Sequence, residues 1–259
     1  MFQAIDILRE IFPIYMLVFT RVSGMLLTLP VFGYQTVPGK VRLMLSLAIT
    51  LLIAMPLSKE MTIAYDSHWE LFSIIGSELL IGLMIGIGAR FIFEAVTIAG
   101  SFISMQVGMG MMQVVDPNSS QQQPIVSQLL FMVVLVYFLA LDGHHMLLEA
   151  LFNSFKLIVP GAASFQSELG VHFISGGSLM YNLAFRLAAP ALVFLILIDI
   201  SLAFVTRMMP QANIFFISLP LKLGVGMVIL ILTLNIVQLM FAYLMQNLAL
   251  FLDELLQLL

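Results

Sequence analysis

From Leu223 to Leu252 the chain carries no Asp, Glu, Lys, Arg or His. A helix that crosses a bilayer needs roughly 20 predominantly apolar residues, so this stretch alone commits the chain to a membrane or to an unusually apolar interior. Composition decides between them. Of 259 residues, 61% are hydrophobic and 9% charged, whereas soluble domains carry about 25% charged residues. Twenty-four charged side chains (10 basic and 14 acidic) cannot cover a water-soluble globule of this size. A soluble enzyme, a disordered regulator and a basic nucleic-acid binder are excluded. The net charge of -4 includes no basic cluster to grip phosphates. No cysteine is present, so disulfides and thiolate metal sites are excluded as well.

The expected fold is an all-α polytopic integral membrane protein. Apolar segments fall at about 11–32, 41–57, 71–89, 91–115, 125–141, 146–159, 179–206 and 214–252. Five spans are expected, with a sixth that depends on its neighbours. Segment 91–115 is softened by Thr97, Gly100, Ser101, Ser104, Gln106 and Gln113, and 146–159 is too short to span, which suits a re-entrant or interfacial piece. Asp6, Arg9 and Glu10 precede a long apolar run with no A-x-A-like site, so 11–32 is expected to act as an anchor and not as a cleaved signal. Lys and Arg are too few in the loops to fix the orientation.

Turn chemistry marks loops at 32–39, 58–70, 116–124 and 160–177. Of these, 116–124 is polar without being charged, and Pro117 and Pro124 resist helix at either end. A boundary in 160–177 divides the chain into expected regions 1–170 and 171–259. Gly82 and Gly86 have the small-xxx-small spacing that permits close helix approach, within the chain or against a partner subunit.

Ten charged residues lie in or beside apolar segments: Arg21, Glu78, Arg90, Glu94, Glu149, Lys156, Arg186, Asp199, Arg207 and Lys222. A charge at the bilayer centre costs about 2.5–3.5 kcal/mol on insertion scales, so such residues face protein or water. They read either as an ion pathway or as buried packing contacts. Asp142-Gly143-His144-His145 with Glu149 is the one constellation that invites a metal, but it lacks the metalloprotease spacing of two His at i,i+4 around a Glu. It reads more simply as a turn and helix start. No Ser elbow, phosphate loop or nucleotide fingerprint is present; no catalytic residue, cofactor or metal is expected. Met105, Met109, Met111 and Met112, interleaved with Gly108 and Gly110, form a deformable apolar stretch. It reads as core filling or as a closure beside a pore.

Several motifs then occur in a familiar order. Arg21 to Gly33 (Arg-Val-Ser-Gly-Met-Leu-Leu-Thr-Leu-Pro-Val-Phe-Gly) is followed by Val37-Pro38 with Arg42, Ala99-Gly100, Gln106-Val107-Gly108-Met109 and Asp116-Pro117. Next come Asp142-Gly143-His144, Ser154-Phe155, Pro160, Arg207-Met208-Met209-Pro210-Gln211 running to Phe215, and Leu219-Pro220-Leu221-Lys222. This collinear set resembles the FliR family of flagellar biosynthesis proteins, which includes counterparts in type III secretion injectisomes. The resemblance implies a structural and gating subunit of the flagellar export gate in the bacterial inner membrane, at the basal body, with the injectisome counterpart of the same gate as the alternative that the motifs leave open. It implies partners FliP and FliQ, with FlhB and FlhA at the gate, and secreted unfolded flagellar proteins as cargo; nucleic acid is not a partner. It further implies that 1–170 is FliP-like and 171–259 a FliQ-like long hairpin. The family's pore-plugging loop would fall on about 106–122, with Gln106, Gly108, Met109, Gly110, Met111, Met112, Asp116 and Pro117. Gly82, Gly86, Asp199, Arg207, Pro210 and Gln211 are the expected subunit-packing positions.

Two rival functions remain open at this point. One is a small-solute transporter using Asp199, Glu78 and Arg90, which lacks the matched repeats such folds show. The other is an intramembrane metalloenzyme using His144, His145 and Glu149.

Overall fold

The computed structural model describes residues 2–30, 37–60, 67–109, 124–163, 165, 167–209, 211 and 214–259. Among them are seven α-helices and no strand: α1 (Phe2–Thr28), α2 (Gly39–Glu60), α3 (His68–Val107), α4 (Ile125–Ala140), α5 (Gly143–Leu157), α6 (Glu168–Met208) and α7 (Ile214–Leu258). The all-α expectation holds. Five helices are long and apolar enough to cross a membrane, and six spans result if the bent pair α4–α5 acts as one.

The structure corrects three boundaries. Segments 71–89 and 91–115 are one 40-residue helix, α3, which stops at Val107. Arg90 lowers the local hydropathy without interrupting the backbone, because arginine is a good helix former. The polar run 168–177, read as loop, is the first turns of α6. Its Glu168 lies in the first turn, where a negative charge complements the helix dipole. The short stretch at 146–159 begins at Gly143, as α5, directly after a break at Leu141-Asp142.

The chain forms two compact units, each assembled from separate stretches of sequence. The first comprises residues 1–91, 142–176 and 247–259. In it α1 packs along α2 and against the first half of α3. Gly82 and Gly86 make the second contact: a Cβ on Gly82 would overlap the carbonyl oxygen of Arg21, and one on Gly86 would overlap Thr28. Leu17, Val18, Ile81, Ile85, Leu151, Phe155 and Leu255 are among the buried residues of this unit. An aromatic cluster lies at another point of the same unit, where Phe251 meets Phe91 edge-on at 5.7 Å and stacks on His172 at 4.2 Å. Gly88 and Gly176 make room for the Phe251 ring.

The second unit comprises residues 92–141 and 177–246. Phe93, Val96, Ile103, Leu130, Val134, Phe138, Leu195, Val237 and Leu244 form its core. Gly100 lets α3 approach the backbone of Ser127 on α4, and the Ser101 and Ser127 hydroxyls meet at 2.9 Å. Burial is sparse along the two last helices: Phe194, Leu197 and Phe204 on α6 and Ile231 and Leu239 on α7 are all exposed. Leu239 is 81% exposed. Apolar side chains in such positions need lipid or another protein surface as their solvent.

Candidate functional site: a sealed ion pair and an anchored helix end

Arg21 and Glu78, 57 residues apart in sequence, meet inside the first unit with no solvent exposure on either side chain. Arg21 Nε donates to Glu78 Oε2 at 2.6 Å and Nη2 donates to Oε1 at 3.1 Å. The remaining donors are used as well. Nη1 donates to Ser154 Oγ at 3.0 Å and Nη2 to the Ile158 carbonyl at 3.2 Å, while the guanidinium lies 4.1 Å from the centre of the Phe155 ring. Glu78 Oε1 also accepts the Gly161 backbone N–H at 3.2 Å. Gly161 has φ of 89°, a left-handed conformation that brings the turn after α5 over the carboxylate.

The planar fork of arginine suits this bidentate arrangement, and every polar atom is paired. A transport site needs a charged group that a solute can reach. Glu78 is sealed, so it does not serve the transporter reading. The sequence identified both charges but not their pairing, since two residues on different helices leave no periodic signal.

A second cluster lies in the second unit. Lys222 on α7 forms an ion pair with Asp199 on α6, and Gln106 Nε2 on α3 donates to the other Asp199 oxygen at 2.8 Å. Asp199 is thus neutralised by protein where its helix is otherwise apolar. The same cluster ties down the end of α3. One residue on, Gly108 has φ of 92°, its N–H bonds to the Met105 carbonyl at 3.1 Å and the Met109 N–H bonds to the Ser104 carbonyl at 3.0 Å. These two bonds around a left-handed glycine are a Schellman motif, which ends a helix firmly.

The other expected positions are distributed as follows. Gly110, Met111, Met112, Asp116, Pro117 and Pro210 lie outside the described residues. Met109 is half-buried beyond the α3 cap. Arg207 is exposed in the last turn of α6, where its charge complements the helix dipole, and Gln211 is exposed after it. Gly82 and Gly86 pack on α1 of the same chain. Arg186, also exposed, donates to the Tyr243 hydroxyl at 3.3 Å. Asp142, His144 and His145 come together at the start of α5, and Glu149 is not among them.

Residues 12–248 match the family described as bacterial export proteins, family 1. The chain is 33% identical over 231 residues to the flagellar biosynthetic protein FliR of Bacillus subtilis (strain 168), covering 88% of each protein. It is 31% identical over 208 residues to FliR of Escherichia coli (strain K12), covering 80% of this chain and 78% of that one. FliR of Caulobacter vibrioides is 30% identical over 219 residues, with 85% and 87% covered. The collinear motifs, the apolar helices and these relatives agree: the chain belongs to bacterial export protein family 1, as a FliR-type membrane component of the flagellar export apparatus.

Proposed function

We propose that the chain is a structural and gating subunit of the flagellar type III export gate, forming a secretion pore with FliP and FliQ in the bacterial inner membrane. In this reading it has no catalytic chemistry of its own, and FlhB and FlhA act beside it at the basal body. Unfolded flagellar subunits pass through the pore. Residues 106–122 restrict it when closed, and 1–170 and 171–259 act as FliP-like and FliQ-like parts.

The observation that carries this reading is the end of α3. A 40-residue helix, long and apolar enough to cross a membrane, is stopped by a Schellman motif and anchored by Gln106 to the Asp199–Lys222 pair. The Met/Gly-rich stretch that follows therefore starts from a fixed base at Gly108 and Met109. The exposed apolar faces of α6 and α7 supply surface for sister subunits.

Deleting residues 110–117 tests the gating part. The expected result is a raised leak of ions or small solutes through membranes containing the assembled gate; an unchanged leak refutes the role. Co-expression with FliP and FliQ tests the assembly, with a single co-purifying complex expected. A well-behaved detergent monomer that ignores both partners counts against it.

A further inference from the structure

At the break between α4 and α5 the chain places a carboxylate and two imidazoles within reach of one another. Asp142, His144 and His145 each present one potential ligand atom, and the three atoms all lie within 4.8 Å of one another. Asp142 Oδ1 is 3.1 Å from His145 Nδ1, and the two imidazole rings are 4.2 Å apart.

Two features of this corner are not explained by a plain helix start. An Asp at a helix N-cap ordinarily accepts a hydrogen bond from the N–H of the second or third helical residue. The Asp142 side chain makes no such bond, although its backbone carbonyl accepts from His145 and Met146. It is also the one described non-glycine residue with positive φ, at 58°. The carboxylate thus faces the His145 imidazole and leaves the first backbone N–H groups of α5 uncapped by its side chain. The second feature is His144 Nδ1, a buried ring nitrogen without a hydrogen-bond partner. Leaving such an atom unsatisfied costs about 1–3 kcal/mol.

We infer that Asp142, His144 and His145 form a binding site for a divalent transition-metal ion of the zinc class. Two imidazoles and one carboxylate are the ligand set such ions favour, and it excludes magnesium and calcium, which take oxygen ligands. Ligand atoms around tetrahedral zinc are separated by about 3.3 Å, given bonds of about 2.0–2.1 Å. The Asp142–His145 pair, at 3.1 Å, already approaches that spacing, and the third ligand atom lies within 4.8 Å of both. Exposed Asp142 and His145 give a hydrated ion a route in, and a fourth position remains for water. Bound there, the ion clamps the first turn of α5 to the left-handed residue before it. The sequence spacing argued against a metalloprotease motif; it does not argue against a structural or regulatory ion.

The test uses the full chain, extracted in detergent with whatever subunits accompany it, stripped with a chelator and titrated with Zn²⁺ by calorimetry. A saturable site is expected, its affinity falling at least about tenfold in Asp142→Asn, His144→Gln and His145→Gln. His172→Gln, which alters the other described imidazole, leaves it unchanged. X-ray absorption on the zinc-loaded unmodified protein serves as a second measurement that needs no variant, with two imidazole ligands expected. The proposal fails if the stripped protein shows no saturable binding. It fails equally if the His144→Gln/His145→Gln pair binds as the parent does, or if the absorption spectrum shows no imidazole shell.

Discussion

Arg21 and Glu78 are locked together by two parallel hydrogen bonds, of 2.6 and 3.1 Å, in a place no water reaches. The pair joins α1 to α3, and through Ser154, Ile158 and Gly161 it also holds α5 and the turn after it. Three separate segments of sequence thus share one pair of charges.

Removing one partner leaves the other charged and buried. Arg21→Met and Glu78→Leu are each expected to destabilise the chain by about 3–5 kcal/mol, and the double variant by less than the two effects summed. Thermal unfolding in detergent, followed by loss of a monodisperse peak, measures the three variants. Equal additive losses would show that the pair is not coupled.

Close approach of α1 and α3 rests on absent side chains. Gly82→Ala is expected to cost about 1–3 kcal/mol, because the new methyl meets the Arg21 carbonyl, a backbone atom that cannot swing aside. Gly76, on the same helix, has open space at that position. Gly76→Ala should be neutral or stabilising by about 0.5–1 kcal/mol through backbone entropy. The contrast between the two melting temperatures is the readout.

At the end of α3, Gly108→Val places a β-branched side chain at φ of 92°. The strain is about 1–3 kcal/mol, and Asn, which tolerates the left-handed region, should do less harm. Hydrogen exchange at the Gly108 and Met109 amides measures the cap directly. Faster exchange in the valine variant is expected, and no change would mean that the cap is not held by glycine.

Asp199 and Lys222 offer a charge-reversal test. Asp199→Lys and Lys222→Asp should each break the ion pair, set like charges against one another and reduce flagellar export several-fold, and the double exchange should recover much of the loss. Swimming motility and secreted hook or filament protein report the outcome. If the double exchange is no better than either single change, the ion pair is not what matters at this point.

Much of the fold was legible because a membrane imposes so strong a pattern. Leu223 to Leu252 announced α7 by composition alone, and Gly82 and Gly86 announced a close contact by spacing. The continuity of α3 was hidden, because hydropathy senses Arg90 as an interruption while the backbone does not. The bonds of Arg21 to Glu78 and of Asp199 to Lys222 and Gln106 were hidden for a different reason. They depend on how helices distant in sequence are turned toward one another, which no local window records. The Asp142 corner was half visible: the residues stood out, but their convergence depends on a left-handed backbone that Asp adopts only occasionally.

The lengths of α3, α6 and α7 have a consequence for biogenesis. At 40, 41 and 45 residues they extend roughly 60 Å or more, about twice the hydrocarbon thickness of a bilayer. A newly inserted copy therefore has no single medium that suits its whole length: lipid takes part of each helix, and the remainder waits in or near water. Such a copy is expected to be open to proteolysis and aggregation until the proposed sister subunits cover it. The cell must synthesise its neighbours close by and soon, and the half-life of the chain becomes a measure of how promptly they arrive.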